Sequence, residues 1–231
     1  MSIVITKGII TALGLEAEII INKYALTEEK KIGALKIFTW IRKNDEWEDE
    51  KIVLLLCGEW KIQAAQAATY LCENYDCIKI INIGIVGNLN PADIAIWDVM
   101  IPNTFIQHDF YMPESIDFSK HLREPIFLEY AVGEEYNLEK FTLHLSGICA
   151  TWDQFIDNED LKTEIVETYW ADIVDMEAYA ILSVLRNYNI LDKAVVIKSV
   201  SDGADSSAEQ NSMDNLKLAM QNAVAILDFT L

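Results

Sequence analysis

The sequence predicts an α/β fold, with helices on both faces of a mixed, largely parallel central sheet in a three-layer sandwich. Two observations carry that expectation. Strand-length runs of apolar and β-branched residues alternate along the chain with segments whose apolar residues recur at helical spacing. The run Ala194-Val195-Val196-Ile197 leads into Ser201-Asp202, and open α/β sheets bind ligands beyond the carboxyl ends of their strands. At 231 residues and 52% hydrophobic, the chain suits a single domain over residues 1–231.

The elements follow in order. Residues 3–11 read as a strand that enters a helix at Ala12, running to about Ala25. Residues 35–40 and 51–57 read as two strands, and the polar Lys43-Asn44-Asp45-Glu46 between them suits a hairpin. Residues 61–75 carry Ala and Leu at helical spacing. Residues 77–83 form a buried strand ending at Gly84-Ile85-Val86-Gly87, and residues 94–102 another, punctuated by Pro91 and Asp93. Residues 107–137 hold Pro113, Pro125 and mixed aromatics with little periodicity, so they read as a long loop. Residues 141–149 read as a strand, 158–168 as a short helix and 176–187 as a helix with an apolar face. Residues 194–197 are a buried parallel strand. Residues 213–229 close the chain as an amphipathic helix, with Ser212 expected as its N-cap.

Charge narrows the partners. A formal net charge of −19 repels nucleic acid and anionic membranes, which argues against either as a partner. The apolar stretches are too short and too often interrupted by charge for a transmembrane span. The first residues lack the basic-then-apolar layout of a signal peptide, so a cytoplasmic location is expected. Cys57, Cys72, Cys77 and Cys149 form no CxxC pair and have no histidine at ligand spacing. They read as reduced core thiols, and no metal site is expected.

Several short segments carry chemistry. The glycines of Gly84-Ile85-Val86-Gly87 make either a plain turn or an approach of backbone N–H groups to a ligand. Glu177 stands at a helix entrance among Met176, Ala178 and Ala180, an apolar setting in which a carboxylate needs partners such as sugar hydroxyls. Phe155 and Ile156 follow Asp153 in a polar turn, where an aromatic either anchors the loop or stacks on a flat heterocycle. Glu16 falls one turn into the first helix, an ordinary helix-face position on spacing alone. His144 reads as a structural histidine, His108 as a residue that borders a site, and no catalytic triad is legible.

Taken together, residues 11–16, 82–91, 107–110, 152–156, 174–178 and 200–205 resemble the purine nucleoside phosphorylase superfamily. The likeness is greatest to its methylthioadenosine/S-adenosylhomocysteine nucleosidase branch, and it spans almost the whole chain. The resemblance implies cleavage of an adenine nucleoside's N-glycosidic bond without metal or organic cofactor. It assigns Asp202 as the acid that protonates the purine at N7 and Glu16 as the group that activates a water. It assigns Glu177 to the ribose hydroxyls, Met176 to the sugar, Phe155 to stacking and the Ile156 backbone to the base edge. Ile85, Ser201 and Lys198 complete the expected substrate contacts. It also implies a homodimer in which the segment around His108–Tyr111 closes the neighbour's pocket.

Some residues depart from the family pattern. Ile85 stands where a serine is usual, Lys198 where an arginine is usual, and Trp152 where a small residue is usual. Cys57-Gly58-Glu59-Trp60-Lys61 replaces a glycine-richer turn. Phosphate binding favours arginine, and the only arginines, Arg42, Arg123 and Arg186, lie outside these motifs. Hydrolysis is therefore expected over phosphorolysis. The alternatives are a phosphorylase, a nucleosidase for a futalosine-like nucleoside, and a nucleoside-binding protein without turnover.

Overall fold

The computed structural model describes residues 4–43, 49–109, 124–129 and 136–230. Strand β1 (Ile5–Thr11) leads through helix α1 (Gly14–Tyr24) to β2 (Thr27–Ile32), β3 (Leu35–Lys43) and β4 (Asp49–Leu56). Helix α2 (Lys61–Asn74) precedes β5 (Cys77–Asn88), β6 (Val99–Met100) and β7 (Thr104–Gln107). Four short strands follow: β8 (Ile126–Phe127), β9 (Tyr136–Asn137), β10 (Thr142–His144) and β11 (Ile148–Thr151). Helix α3 (Glu159–Tyr169), strand β12 (Ile173–Asp175) and helix α4 (Ala178–Asn187) lead to β13 (Ala194–Asp202) and helix α5 (Ala208–Thr230).

All the strands join one mixed sheet. Its centre is parallel: β1 pairs with β4 and β5, and β5 pairs with β13. Antiparallel pairs lie around that centre, among them β2 with β3, β3 with β4 and β7 with β8.

Strand alternation explains the three layers. Ile9 joins Ala17, Ile20, Met220 and Ala223 beneath α1 and α5. Its neighbour Ile10 joins Ala64, Leu71, Ile181 and Leu185 beneath α2 and α4 on the other face. Successive side chains point to opposite faces, so a strand covered on both sides is apolar throughout. Each such side chain, taken from water, contributes about 1.5–3 kcal/mol. Helix α3 starts at Asn158, whose side chain caps it by accepting from the N–H groups of Asp160 and Leu161. It packs Ile165 with Ile156, Val174 and Ala204, which places the loop after β11 beside the end of β13.

Several boundaries differ from the sequence reading. β5 does not stop at Ile83 but continues through Gly84 and Gly87 to Asn88, because both neighbours keep hydrogen-bonding it. β13 likewise runs through Ser201 to Asp202, with a register shift between Val200 and Asp202. The strand expected over 141–149 is two strands, broken where Gly147 adopts a φ of 150°. The strand expected over 94–102 reduces to Val99–Met100. Ser212 is not an N-cap; α5 begins at Ala208, and the Ser212 hydroxyl donates to the Glu209 carbonyl inside the helix.

The hairpin of β3 and β4 is present, while Asn44, Asp45 and Glu46 lie outside the described residues. So do Pro113, Arg123 and much of the stretch expected to be a loop; its described parts include β8 and β9. His144 is buried with its Nε2 3.1 Å from Asp98 Oδ2, a structural role. All four cysteines are free, and Cys57, Cys77 and Cys149 are buried.

Candidate active site

A cavity of about 310 Å³ is lined by residues that follow β1 and β12 and by the last residues of β13. Five carboxylates line it: Glu16, Glu59, Asp175, Glu177 and Asp202. No lysine or arginine is among its described lining residues. A cavity lined by carboxyls and by no basic residue suits a neutral ligand rich in hydroxyl and N–H groups and offers phosphate no counter-charge.

Glu16 is held in place by four donors. Its Oε2 accepts from the Thr11 hydroxyl at 2.8 Å and from the N–H groups of Ala12 at 3.2 Å and Leu13 at 2.9 Å. Its Oε1 accepts from the Ile85 N–H at 2.8 Å. That last bond requires glycine at 84, since a Cβ there would sit 2.8 Å from Oε1. Three donors therefore fix one oxygen, while the other keeps acceptor capacity toward the cavity.

Glu177 occupies the N-cap position of α4 rather than its first turn. Burial pushes its carboxyl up to about 8; Asp175 and Glu16 add to the shift, and Lys198 and the Trp60 N–H oppose it. Trp60 itself has a φ of 86°, a strained left-handed conformation that carries this N–H. Asp175 anchors the group. It accepts from the Thr151 hydroxyl at 2.6 Å and the Ala178 N–H at 2.9 Å, and pairs with Lys198 Nζ at 2.7 Å.

Lys198 is wholly buried and is not among the cavity-lining residues. Burial opposes its charge, but Asp175 and Glu177 outweigh that and hold its ammonium above the ordinary value. The sequence reading placed Lys198 against substrate. Its ammonium faces Asp175 instead, because a charge at that depth needs a counter-ion.

Asp202 ends β13. Its Oδ2 accepts from the Ser201 hydroxyl at 2.7 Å and its Oδ1 from the Ala204 N–H at 2.9 Å. Burial raises its pKa, with Asp205 adding to the effect, while the Ser201 hydroxyl, the Ala204 N–H and Lys162 work against it. A buried carboxyl that keeps its proton to higher pH is equipped to donate it.

Ile85, Phe155, Ile156, Met176 and Ser201 all line the same cavity. Ile156 is buried beneath it, whereas Phe155 is 40% exposed at its edge. The sequence reading missed Leu13, Ser212, Met213 and Leu216, which also line the cavity. The last three share α5 at i, i+1 and i+4, a spacing that reads equally well as ordinary core packing. Trp152 and His108 stand outside the lining and pack edge to face, with ring centroids 4.7 Å apart. Burial pushes His108 down to about 4. Among the described residues no group of His, Cys, Asp and Glu fits a metal ion.

The family model of the phosphorylase superfamily matches residues 6–231. The chain belongs to the phosphorylase superfamily. A 5′-methylthioadenosine/S-adenosylhomocysteine nucleosidase of Buchnera aphidicola (subsp. Schizaphis graminum) is 32% identical over 204 residues, covering 82% of this chain and 80% of that one. A protein of the same name from Listeria innocua is 28% identical over 236 residues, covering 96% and 97%. Among solved structures, the Helicobacter pylori nucleosidase of that name, complexed with an inhibitor, superposes with a TM-score of 0.81 at 20% identity, covering 97% of each chain. Futalosine hydrolase of the same organism also gives 0.81, at 21% identity, covering 97% of this chain and 96% of that one. At such identities the superpositions show a shared fold.

Proposed function

We propose that this chain hydrolyses the N-glycosidic bond of a 5′-substituted adenine nucleoside, of the methylthioadenosine or S-adenosylhomocysteine type, and releases adenine. The observation that carries the reading is the convergence of the Glu16, Glu177 and Asp202 carboxyls on one cavity without a basic residue in its described lining. Asp202 gives its proton to N7 of the base, so the bond from N9 to C1′ breaks with its electron pair on the purine. Glu16 takes a proton from a water, whose oxygen bonds to C1′. Glu177 accepts from the ribose hydroxyls while positive charge develops on the sugar. Acid and base on opposite sides of a scissile bond follow the logic of glycoside hydrolases.

The remaining contacts fit that pose. Phe155 stacks on the base, the Ile156 backbone reads its edge, Met176 packs on the sugar, and Ser201 sets the Asp202 carboxyl. Ile85 contributes its backbone N–H to Glu16 and an apolar side chain to the cavity. Lys198 acts on the site through Asp175 and Glu177. We further propose a cytoplasmic location and a homodimer; Leu15, Trp60, Phe155 and Met213, apolar and each at least 40% exposed at or beside the cavity mouth, are the side chains that a partner would cover. Sedimentation of the purified chain reads that state directly.

A second reading, a futalosine-type nucleosidase, draws support from the equal superposition on futalosine hydrolase. One assay separates the readings: base release from methylthioadenosine, adenosylhomocysteine, adenosine, inosine and futalosine, each with and without phosphate. Adenine release from the 5′-thio nucleosides, independent of phosphate, is expected. Release confined to futalosine supports the second reading, and release that needs phosphate overturns both.

A further inference from the structure

One peptide unit joins Lys162 to Asp202. The Gly203 carbonyl accepts from Lys162 Nζ at 2.6 Å. The N–H of the same amide, on Ala204, donates to Asp202 Oδ1 at 2.9 Å. Ala204 is fully buried with a φ of 50°, a left-handed conformation that side-chain-bearing residues adopt at a cost. Lys162 lies in α3, directly after the loop that carries Phe155 and Ile156. Its hydrogen bond therefore ties the loop assigned to the base to the turn beside the acid.

We propose that Lys162 is a positioning residue for Asp202, acting through the Gly203–Ala204 peptide. The proposal rests on the reading of Asp202 as the acid of a nucleosidase. An ammonium on the carbonyl polarises the amide and strengthens its N–H as a donor. That N–H occupies Oδ1 and leaves Oδ2 to carry the transferable proton. Oδ2 lies 2.7 Å from Ser201 Oγ, which has the Val86 carbonyl at 3.2 Å as an alternative acceptor for its own hydrogen. Ser201 can thus receive a hydrogen bond from a protonated Oδ2.

The charged groups around Asp202 are few. Asp205 in the following turn works against its ionised form, and Lys162 from α3 favours that form. Glu16 from α1, Glu59 before α2, Asp175 at the end of β12 and Glu177 at the start of α4 line the same cavity. Removing the ammonium therefore leaves Asp202 protonated to higher pH, yet with its carboxyl less firmly oriented.

The test uses Lys162→Met, Lys162→Gln and Lys162→Arg in the full chain. Two quantities are read: the pH profile of kcat for adenine release from methylthioadenosine, and the Asp202 carboxyl titration by carbon NMR without substrate. Lys162→Met should lower kcat about tenfold with KM little changed, and move both the alkaline limb and the titration midpoint upward. Lys162→Arg should restore them. If Lys162→Met does not fold, Lys162→Gln, which keeps a donor without the charge, should shift both in the same direction. A folded neutral variant with wild-type limb and midpoint, altered only in melting temperature, overturns the proposal. If the wild type releases no base from any nucleoside, the nucleosidase reading fails, while the NMR titration still decides the role of Lys162.

Discussion

The carboxyls of Asp202 and Glu177 are both buried, but they sit differently. Asp202 has donors on both oxygens and faces Lys162 only through a peptide, whereas Glu177 shares its surroundings with Asp175, Glu16 and Lys198. The direction of the Glu177 shift fixes a pH dependence of stability. Its carboxyl goes from an ordinary 4.5 to about 8 on folding, so the folded state binds the proton more tightly. Its contribution is fully present below about 4.5 and is lost as pH rises through about 8. Denaturant melts at pH 5 and pH 9 should therefore show the wild type losing more stability across that interval than Glu177→Gln. Equal losses in the two proteins would contradict the assignment. Residues 174–178 and 200–205 were legible because each brings its carboxylates within a few residues of one another after an apolar run. The partnership of Lys198 with Asp175 was not, since it joins residues far apart in sequence and neighbours only in the fold.

Among the elements, β5 pairs with β1, β12 and β13, the strands that lead to the three site carboxyls, and its end was read least well. Two glycines after an apolar run read as a turn by composition, yet here the strand continues and Gly84 admits the Glu16 carboxylate. Gly84→Ala should leave the fold intact and lower kcat by tenfold or more, because small displacements of a catalytic group have large kinetic effects. Wild-type turnover with a normal melt would contradict the close approach. The ion pair of Asp175 on β12 with Lys198 on β13 offers a stability test. Lys198→Met leaves Asp175 and Glu177 buried without their cation, and should cost roughly 3–5 kcal/mol in denaturant unfolding. A loss under about 1 kcal/mol would mean that the pair is far less desolvated than it looks. β12 escaped the sequence reading for a physical reason: three residues are too few to display a period. The break at Gly147 escaped because apolar residues continue on both sides of it.

Across the whole molecule, the three layers and the parallel centre follow from the alternation of strand-length and helical segments, which the sequence displays openly. The antiparallel borders do not show in the same way. β8 and β9 have two residues each and depend on neighbours for their pairing. The cavity also exists only at this scale, since it draws on residues from Ala12 to Leu216. Its position among strand ends was expected from fold class, and the lack of lysine or arginine in its described lining agrees with the proposed hydrolysis rather than phosphorolysis. The central claim is that Asp202 protonates a purine nucleoside for attack by water. The direct measurement is adenine release from methylthioadenosine in phosphate-free buffer by the wild type and by Asp202→Asn, with ligand binding followed in parallel. The account predicts release by the wild type that phosphate leaves unchanged, and a 10²–10⁴-fold loss in Asp202→Asn with binding retained. Release that requires phosphate, or an Asp202→Asn variant as active as the wild type, would contradict it.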